Sequence, residues 1–283
     1  AENSKKRWQW HRDLISRWIT ENEPGKGTGW EPYPTSLRIV NWIKWSLAGY
    51  SLDSTWLQSL AIQTRWLRQR IEWHLLGNHL FTNAKALIFA GVFFEGKEAD
   101  GWLKTGIQIL KKEIPEQVLH DGGHFELSPM YHSIILEDIL DVINAGKTYK
   151  NKICKFFIKD LENIANKMLS WLTVLTHSDG KIAFFNDAAF GVAGSLDALK
   201  AYASRLCICI SLEKYQEISQ LKSSGYIKIK KGDASAILDV ARIGPDYMPG
   251  HGHADTLSFE FTIKDKRIFV NSGTSLYESG NER

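Results

Sequence analysis

Cysteine is scarce in this chain: Cys154, Cys207 and Cys209 make no disulfide framework. Cys207 and Cys209 fall in the apolar run 206–212, where they read as small core residues. Neither an oxidising nor a reducing compartment is excluded on that count. Charge of one sign is lacking as well. The balance of 35 Lys and Arg against 32 Asp and Glu leaves a formal +3, too little to draw the chain to nucleic acid or to an anionic membrane surface. No apolar stretch is long enough to cross a bilayer, so no membrane span is expected. No secretory leader is visible, and Ala1 is not a natural start, so the original N-terminus is expected to be missing. A repeat of fixed period is absent too, which disfavours a solenoid of identical units.

What the chain has is ordinary bulk and much tryptophan. Its 283 residues, 43% hydrophobic and 24% charged, suffice for a sizeable core of globular type. Nine of the eleven Trp fall within the first 73 residues: Trp8, Trp10, Trp18, Trp30, Trp42, Trp45, Trp56, Trp66 and Trp73. The plain reading is a helical core with indoles at the helix contacts. The sharper one is a sugar-binding groove, since flat rings suit sugar faces and an indole N–H suits hydroxyls.

Helical periodicity runs through segments 38–47, 57–76, 83–94, 99–114, 129–145, 154–176 and 196–212. Gly77, Gly96 and Pro115 read as stops, and Pro129 as a first-turn residue whose missing N–H costs little. Helices with short polar connections and no strands between them predict a toroid or array rather than an α/β fold. After Ser223-Ser224-Gly225 the period changes to two, over 226–230, 235–243, 257–263 and 267–270, the last two joined at Lys264-Asp265-Lys266. Lys228, Lys230 and Lys231 alternate with Ile227 and Ile229 and read as the solvent face of a strand. The expected division is a helical domain over 1–220 and a β domain over 221–283. About four strands leave a sheet with uncovered edges, so a truncated β domain is expected.

Three segments concentrate polar groups at element boundaries, where functional side chains gather. They are Gly77-Asn78-His79 with Asn83, the run from Asp121-Gly122-Gly123-His124-Phe125-Glu126 to Tyr131-His132, and Gly250-His251-Gly252-His253-Ala254-Asp255. Singly, each has a bland reading: a helix-ending Asn, a turn, a packed Tyr, loop histidines bonded to backbone. Together they predict one cleft, with the helical domain as one wall and the β domain as the other. The chemistry such a set can do is β-elimination at a uronic acid. The C5 proton there is weakly acidic, so the carboxylate must be neutralised, the proton taken and the leaving O4 protonated. Asn and His hydrogen bonds serve the first task, and His and Tyr the others.

In order and rough spacing, these segments resemble the heparinase II/III-like polysaccharide lyases, and the similarity runs from Trp30-Glu31-Pro32-Tyr33 to Gly273-Thr274. The resemblance implies an incomplete (α/α) toroid followed by the start of an antiparallel β-sandwich. It implies an acidic polysaccharide as partner and, by the habit of the family, a bacterial periplasmic or extracellular location. It assigns carboxylate neutralisation to Asn78 and His79, proton transfer to Tyr131 and a base role to His251. It makes His124, Glu126, His132 and Arg38 candidates for substrate contact. A structural zinc is also implied, with His253 as one ligand and Asn271, in the turn Asn271-Ser272-Gly273, where relatives place an Asp. A third ligand would be a His beyond Arg283. Two other classes remain open: a toroid glycoside hydrolase working with two of Glu126, Glu137, Asp138 and Asp187, and a polysaccharide-binding or assembly protein without turnover.

Overall fold

The computed structural model describes residues 2–208 and 217–273. The chain divides into two compact units, 1–112 and 113–283. The first is helical: α1 (Glu2–Glu21), a 3-10 turn at Thr28–Trp30, α2 (Pro32–Leu47), α3 (Ser54–Gln69), α4 (Gly77–Phe93) and most of α5 (Lys97–Gln117), which runs on into the second unit. α2 opens on Pro32, whose fixed φ suits a first turn. α3 is capped by the Asp53 carboxylate, which accepts from Trp56 N at 3.0 Å. α4 is the core helix, with fifteen of its seventeen residues buried, as befits a helix apolar all round. Each of its fully buried Leu, Ile and Phe side chains contributes about 1.5–3 kcal/mol. α2 packs on one side of α4. α5 lies against it closely because two glycines leave room. A Cβ at Gly106 would stand 2.6 Å from Ala84 O, and one at Gly91 2.6 Å from Leu103 N.

The tryptophans belong mostly to this core. Trp30, Trp42 and Trp56 are buried, and the Trp18 ring lies 5.6 Å from both Trp30 and Trp42. Trp10 and Trp73 stay more than half exposed.

The second unit packs α6 (Pro129–Thr148) against α7 (Lys155–Val174) and α8 (Leu196–Arg205). A five-stranded antiparallel meander follows: β1 (Ile218–Leu221), β2 (Tyr226–Lys231), β3 (Ala234–Asp239), β4 (Phe259–Ile263) and β5 (Lys266–Phe269). The inward side of this sheet is unusually polar, burying Ser235, Asp239, Glu260 and Thr262 beside Tyr226 and Ile237. The other side leaves Ile229, Phe259, Ile263, Ile268 and Phe269 at 40–57% exposure. Polar bonds therefore hold the sheet to the segment that follows α7. Glu260 Oε2 sits 2.7 Å from His177 Nε2, and Thr262 Oγ1 sits 2.7 Å from His177 Nδ1. Arg267 bonds Asp179 at 2.9 Å.

Two expectations fail here. Lys228 is not on a solvent face. It turns inward, and its ammonium donates to Thr176 O at 2.5 Å, beyond the C-terminal end of α7, where carbonyls lack helical partners and favour a cation. Burial lowers its pKa to about 8. Ile229 takes the exposed position instead. Cys207 is exposed rather than packed in a core, because α8 stops at Arg205 and leaves Cys207 in the left-handed region at φ 55°. Cys209 lies outside the described residues.

Candidate active site

In the first unit the site residues sit on the opening turns of α4 rather than in a loop. Leu76 and Gly77, at φ 57° and 51°, turn the chain into this helix. Asn78 is buried and His79 is 37% exposed. The buried Glu72 carboxylate organises the turn. One oxygen lies 3.0 Å from His79 Nδ1, and the other accepts from Asn83 Nδ2 at 2.9 Å. Asn83 Oδ1 in turn accepts from Glu72 N at 2.9 Å, and Asn83 Nδ2 reaches Ser36 Oγ at 3.1 Å. The Tyr33 ring lies 4.5 Å from that of His79. Glu72 uses Nδ1 of His79, so Nε2 is the nitrogen left for other work.

Arg38 belongs to a different part of this unit. Its guanidinium donates to Gln63 Oε1 (2.7 Å), Gly29 O (2.7 Å) and Thr35 Oγ1 (3.1 Å) and lies 3.7 Å from the Trp18 ring centroid. Burial lowers its pKa to about 10. All three guanidinium nitrogens serve packing.

In the second unit, Tyr131 stands in the first turn of α6. Ser128 caps that helix, accepting from Tyr131 N at 3.5 Å and donating to Asp187 O at 2.9 Å. His251 comes from the connection between β3 and β4. Its ring lies 4.1 Å from that of Tyr131, and its Nδ1 is 2.7 Å from Asp187 Oδ2. Asp187 is 2% exposed. Its neighbour Asn186 ties the surrounding segments together. The Asn186 side chain donates to Leu127 O and Tyr226 Oη, each at 3.1 Å, and accepts from His253 N at 3.1 Å. Asn186 N donates to Asp255 Oδ2 at 2.6 Å.

His124, Glu126 and His132 are 0–2% exposed and lie within the core of this unit. His132 Nε2 donates to Met168 O at 3.0 Å, while its Nδ1 accepts from His124 N at 3.2 Å. Trp171 stacks on the ring at 4.3 Å. Burial, above all, drives the His132 pKa down to about 3. His124 Nε2 is 3.3 Å from Gln117 Oε1, and its Nδ1 has no hydrogen-bond partner among the described residues. Burial, then the charges of His132 and His251, hold His124 well below the usual imidazole range. As arranged, His124 and His132 brace the loop that leads into α6. That loop has no slack, since a Cβ at Gly123 would stand 2.6 Å from Trp171 Nε1.

The metal expected from the resemblance finds only part of a ligand set. Asn271 Oδ1, a neutral donor, already accepts from Gly273 N at 3.1 Å. Among the described residues, no group of three or more His, Cys, Asp or Glu side chains converges as metal ligands. A cavity of ≈ 570 Å³ runs along Glu116, Phe125, Leu127, Arg242 and Tyr247, but neither Tyr131 nor His251 lines it.

The motif residues were legible because each motif is short and dense in His, Asn and Tyr. The carboxylates that hold them were not. Glu72 lies inside a segment that reads as helix, and Asp187 stood out only as one of four carboxylates open to a hydrolase. Their partners stand 7 and 64 residues along the chain.

A helical chain that ends in an antiparallel sheet, with a Tyr–His pair joining a helix start to a strand connection, defines the protein's class. Family models of the heparinase II/III N-terminus and of the heparinase II/III-like C-terminal region match residues 5–205 and 214–283. The chain therefore belongs to the heparinase II/III family. A heparin-sulfate lyase of Bacteroides stercoris is 29% identical over 224 residues, covering 73% of this chain and 33% of its own. One from Pedobacter heparinus is 28% identical with the same coverage. The chain thus spans about a third of the length of these curated relatives. Among solved structures, heparinase III matches 95% of this chain and 47% of its own, with TM-score 0.76 and 22% identity. Heparan sulfate lyase HepC from Pedobacter heparinus matches 97% and 46%, with TM-score 0.65 and 22% identity. At that identity the likeness shows the fold. The expected mainly α class, toroid-type helices followed by an antiparallel sheet, is borne out.

Proposed function

We propose that this chain supplies the catalytic groups of a polysaccharide lyase that cleaves a uronic-acid-containing polysaccharide by β-elimination. The observation that carries the reading is the Tyr131–His251 pair, ring to ring at 4.1 Å, with His251 bonded to a buried carboxylate. Such a pair puts a phenol beside an imidazole, the two groups needed for proton traffic at neighbouring atoms. In the proposal Asn78 and His79 donate hydrogen bonds to the substrate carboxylate, offsetting the charge that builds as the C5 proton leaves. His251 takes that proton. The electron pair forms the C4–C5 double bond, the C4–O4 bond breaks, and Tyr131 protonates the departing O4. A phenol with a free pKa of about 10 is a competent donor to an alkoxide. The reading includes an acidic polysaccharide or oligosaccharide as partner and action in a bacterial periplasm or outside the cell, which fractionation of the producing cells would check. No step runs through a metal.

The full-length protein, mixed separately with heparan sulfate and alginate, is expected to release product with the ultraviolet absorbance of an unsaturated uronate on at least one of them. Cleavage that yields only saturated ends would replace this reading with a hydrolase, and binding without cleavage with a non-catalytic role. Tyr131→Phe keeps the ring against His251 and removes only the hydroxyl. It is expected to lower kcat by about 100-fold or more, with thermal unfolding unchanged. Near-normal turnover in this variant would overturn the role given to Tyr131.

A further inference from the structure

We propose that Asp187 is a positioning residue for His251, fixing which ring nitrogen carries the proton. The inference rests on the base role proposed for His251. Asp187 Oδ2 lies 2.7 Å from His251 Nδ1. A carboxylate oxygen and an unprotonated ring nitrogen are both acceptors and would repel at that separation, so Nδ1 carries a hydrogen. In the neutral ring the lone pair is then on Nε2, the nitrogen free to accept a proton from substrate.

The location of this carboxylate is fixed from both sides. Asp187 O accepts from Ser128 Oγ at 2.9 Å, which ties its backbone to the cap of the helix that carries Tyr131. Asn186, next in the chain, accepts from His253 N at 3.1 Å and donates its own N–H to Asp255 at 2.6 Å, which ties the same backbone to the segment that carries His251. One dipeptide thereby sets the approach of Tyr131 and His251 to each other as well as the proton on His251. The same device occurs independently in the first unit, where the buried Glu72 carboxylate lies 3.0 Å from His79 Nδ1.

The test uses the full-length protein labelled with ¹⁵N-histidine, and heparan sulfate as substrate. In the wild type, His251 is expected to show the Nδ1–H form. Asp187→Ala removes the acceptor and is expected to shift the ring toward Nε2–H and to lower kcat by about 100-fold, with KM within about threefold. Asp187→Asn is nearly isosteric and can still accept from Nδ1–H through its amide oxygen. Its NH₂ can equally donate to Nδ1, so it no longer enforces the Nδ1–H form and is expected to fall between the other two in kcat. Should the Ala variant fail to fold, the Asn variant decides alone, and wild-type kcat in it overturns the proposal. An Nε2–H ring in the wild type, or an Ala variant that folds with unchanged kcat and a raised KM, also overturns it. If the wild type yields no unsaturated product, the lyase reading falls, yet the tautomer comparison still decides whether Asp187 holds His251.

Discussion

At the scale of single residues, the exposed chemistry depends on buried carboxylates. Glu72 accepts from both His79 and Asn83, and its own N–H is taken by Asn83 Oδ1. Glu72→Ala would strip the His79 ring of its Nδ1 partner and leave Asn83 Nδ2 with Ser36 alone. Leaving buried donors without acceptors costs about 1–3 kcal/mol. The expected result is a fall of that size in unfolding free energy, read from the urea midpoint, with Glu72→Gln losing less because it keeps one acceptor. An unchanged midpoint in the Ala variant would show that the turn is held by something else. This layer was hard to read from sequence for a physical reason. Asn78, His79 and His251 announce themselves by residue type close to glycines, and Tyr131 by standing next to His132 just after Pro129. A lone Glu or Asp is common on any surface, and only the fold shows that Glu72 and Asp187 are buried against histidines. Arg38 shows the opposite error. Arg is the natural residue for acidic groups, yet here its fork is filled by Gln63, Gly29 and Thr35.

At the scale of elements, glycine carried most of the ambiguity. Gly77 read as the end of one helix, yet it begins α4, because a residue tolerant of positive φ suits the entry to a helix as well as the exit. α1 was not among the segments read as helix, and in the fold only Ile15 of its described side chains is buried. β1, four residues long, was too short to register. The sheet faces were misread because alternation shows that two faces differ, not which one turns inward. The long apolar helices were legible, and α5 shows what periodicity cannot. Its two interior glycines in the first unit have opposite roles. At Gly101 nothing lies within 4 Å of an added Cβ, so Gly101→Ala should stabilise by up to about 1 kcal/mol through helix propensity. At Gly106 the same gain meets a backbone oxygen at 2.6 Å and Ile88 Cγ1 at 2.7 Å. The isoleucine can shift but the carbonyl of α4 cannot, so overpacking of about 1–3 kcal/mol outweighs propensity. The two variants should therefore move the urea midpoint in opposite directions, and movement in the same direction would refute the close packing of α4 and α5.

At the scale of the whole molecule, the buried titratable groups set a direction for stability against pH. His132 is held down to about 3 and His124 well below its usual value, both chiefly by burial. In the unfolded chain both take up a proton near pH 6.5. The stability that goes with keeping them neutral is therefore complete above about pH 7.5 and is lost as pH falls through about 6.5. Each imidazole shifts the folding equilibrium by about tenfold per pH unit below that point. Asp239 acts in the other sense. Burial, with help from the charge of Asp255, raises its pKa to about 6, so the folded state takes a proton there before the unfolded one does. Its desolvation cost is present above about pH 6 and is relieved toward about pH 4, which cancels one of the two histidine slopes. Lys228, lowered to about 8, affects only alkaline conditions, where stability rises as pH passes from about 8 toward about 10.5. The expected profile is a urea midpoint that holds steady around pH 7.5 and falls below about 6.5. It should continue down at reduced steepness once Asp239 is protonated. The Asp239→Asn variant removes the opposing group and should leave the steeper fall intact to lower pH. A wild-type midpoint that stays level from pH 7.5 to pH 5 would mean that His124 and His132 do not stay neutral in the fold. The acceptor role of His132 Nδ1 toward His124 N would then need revision.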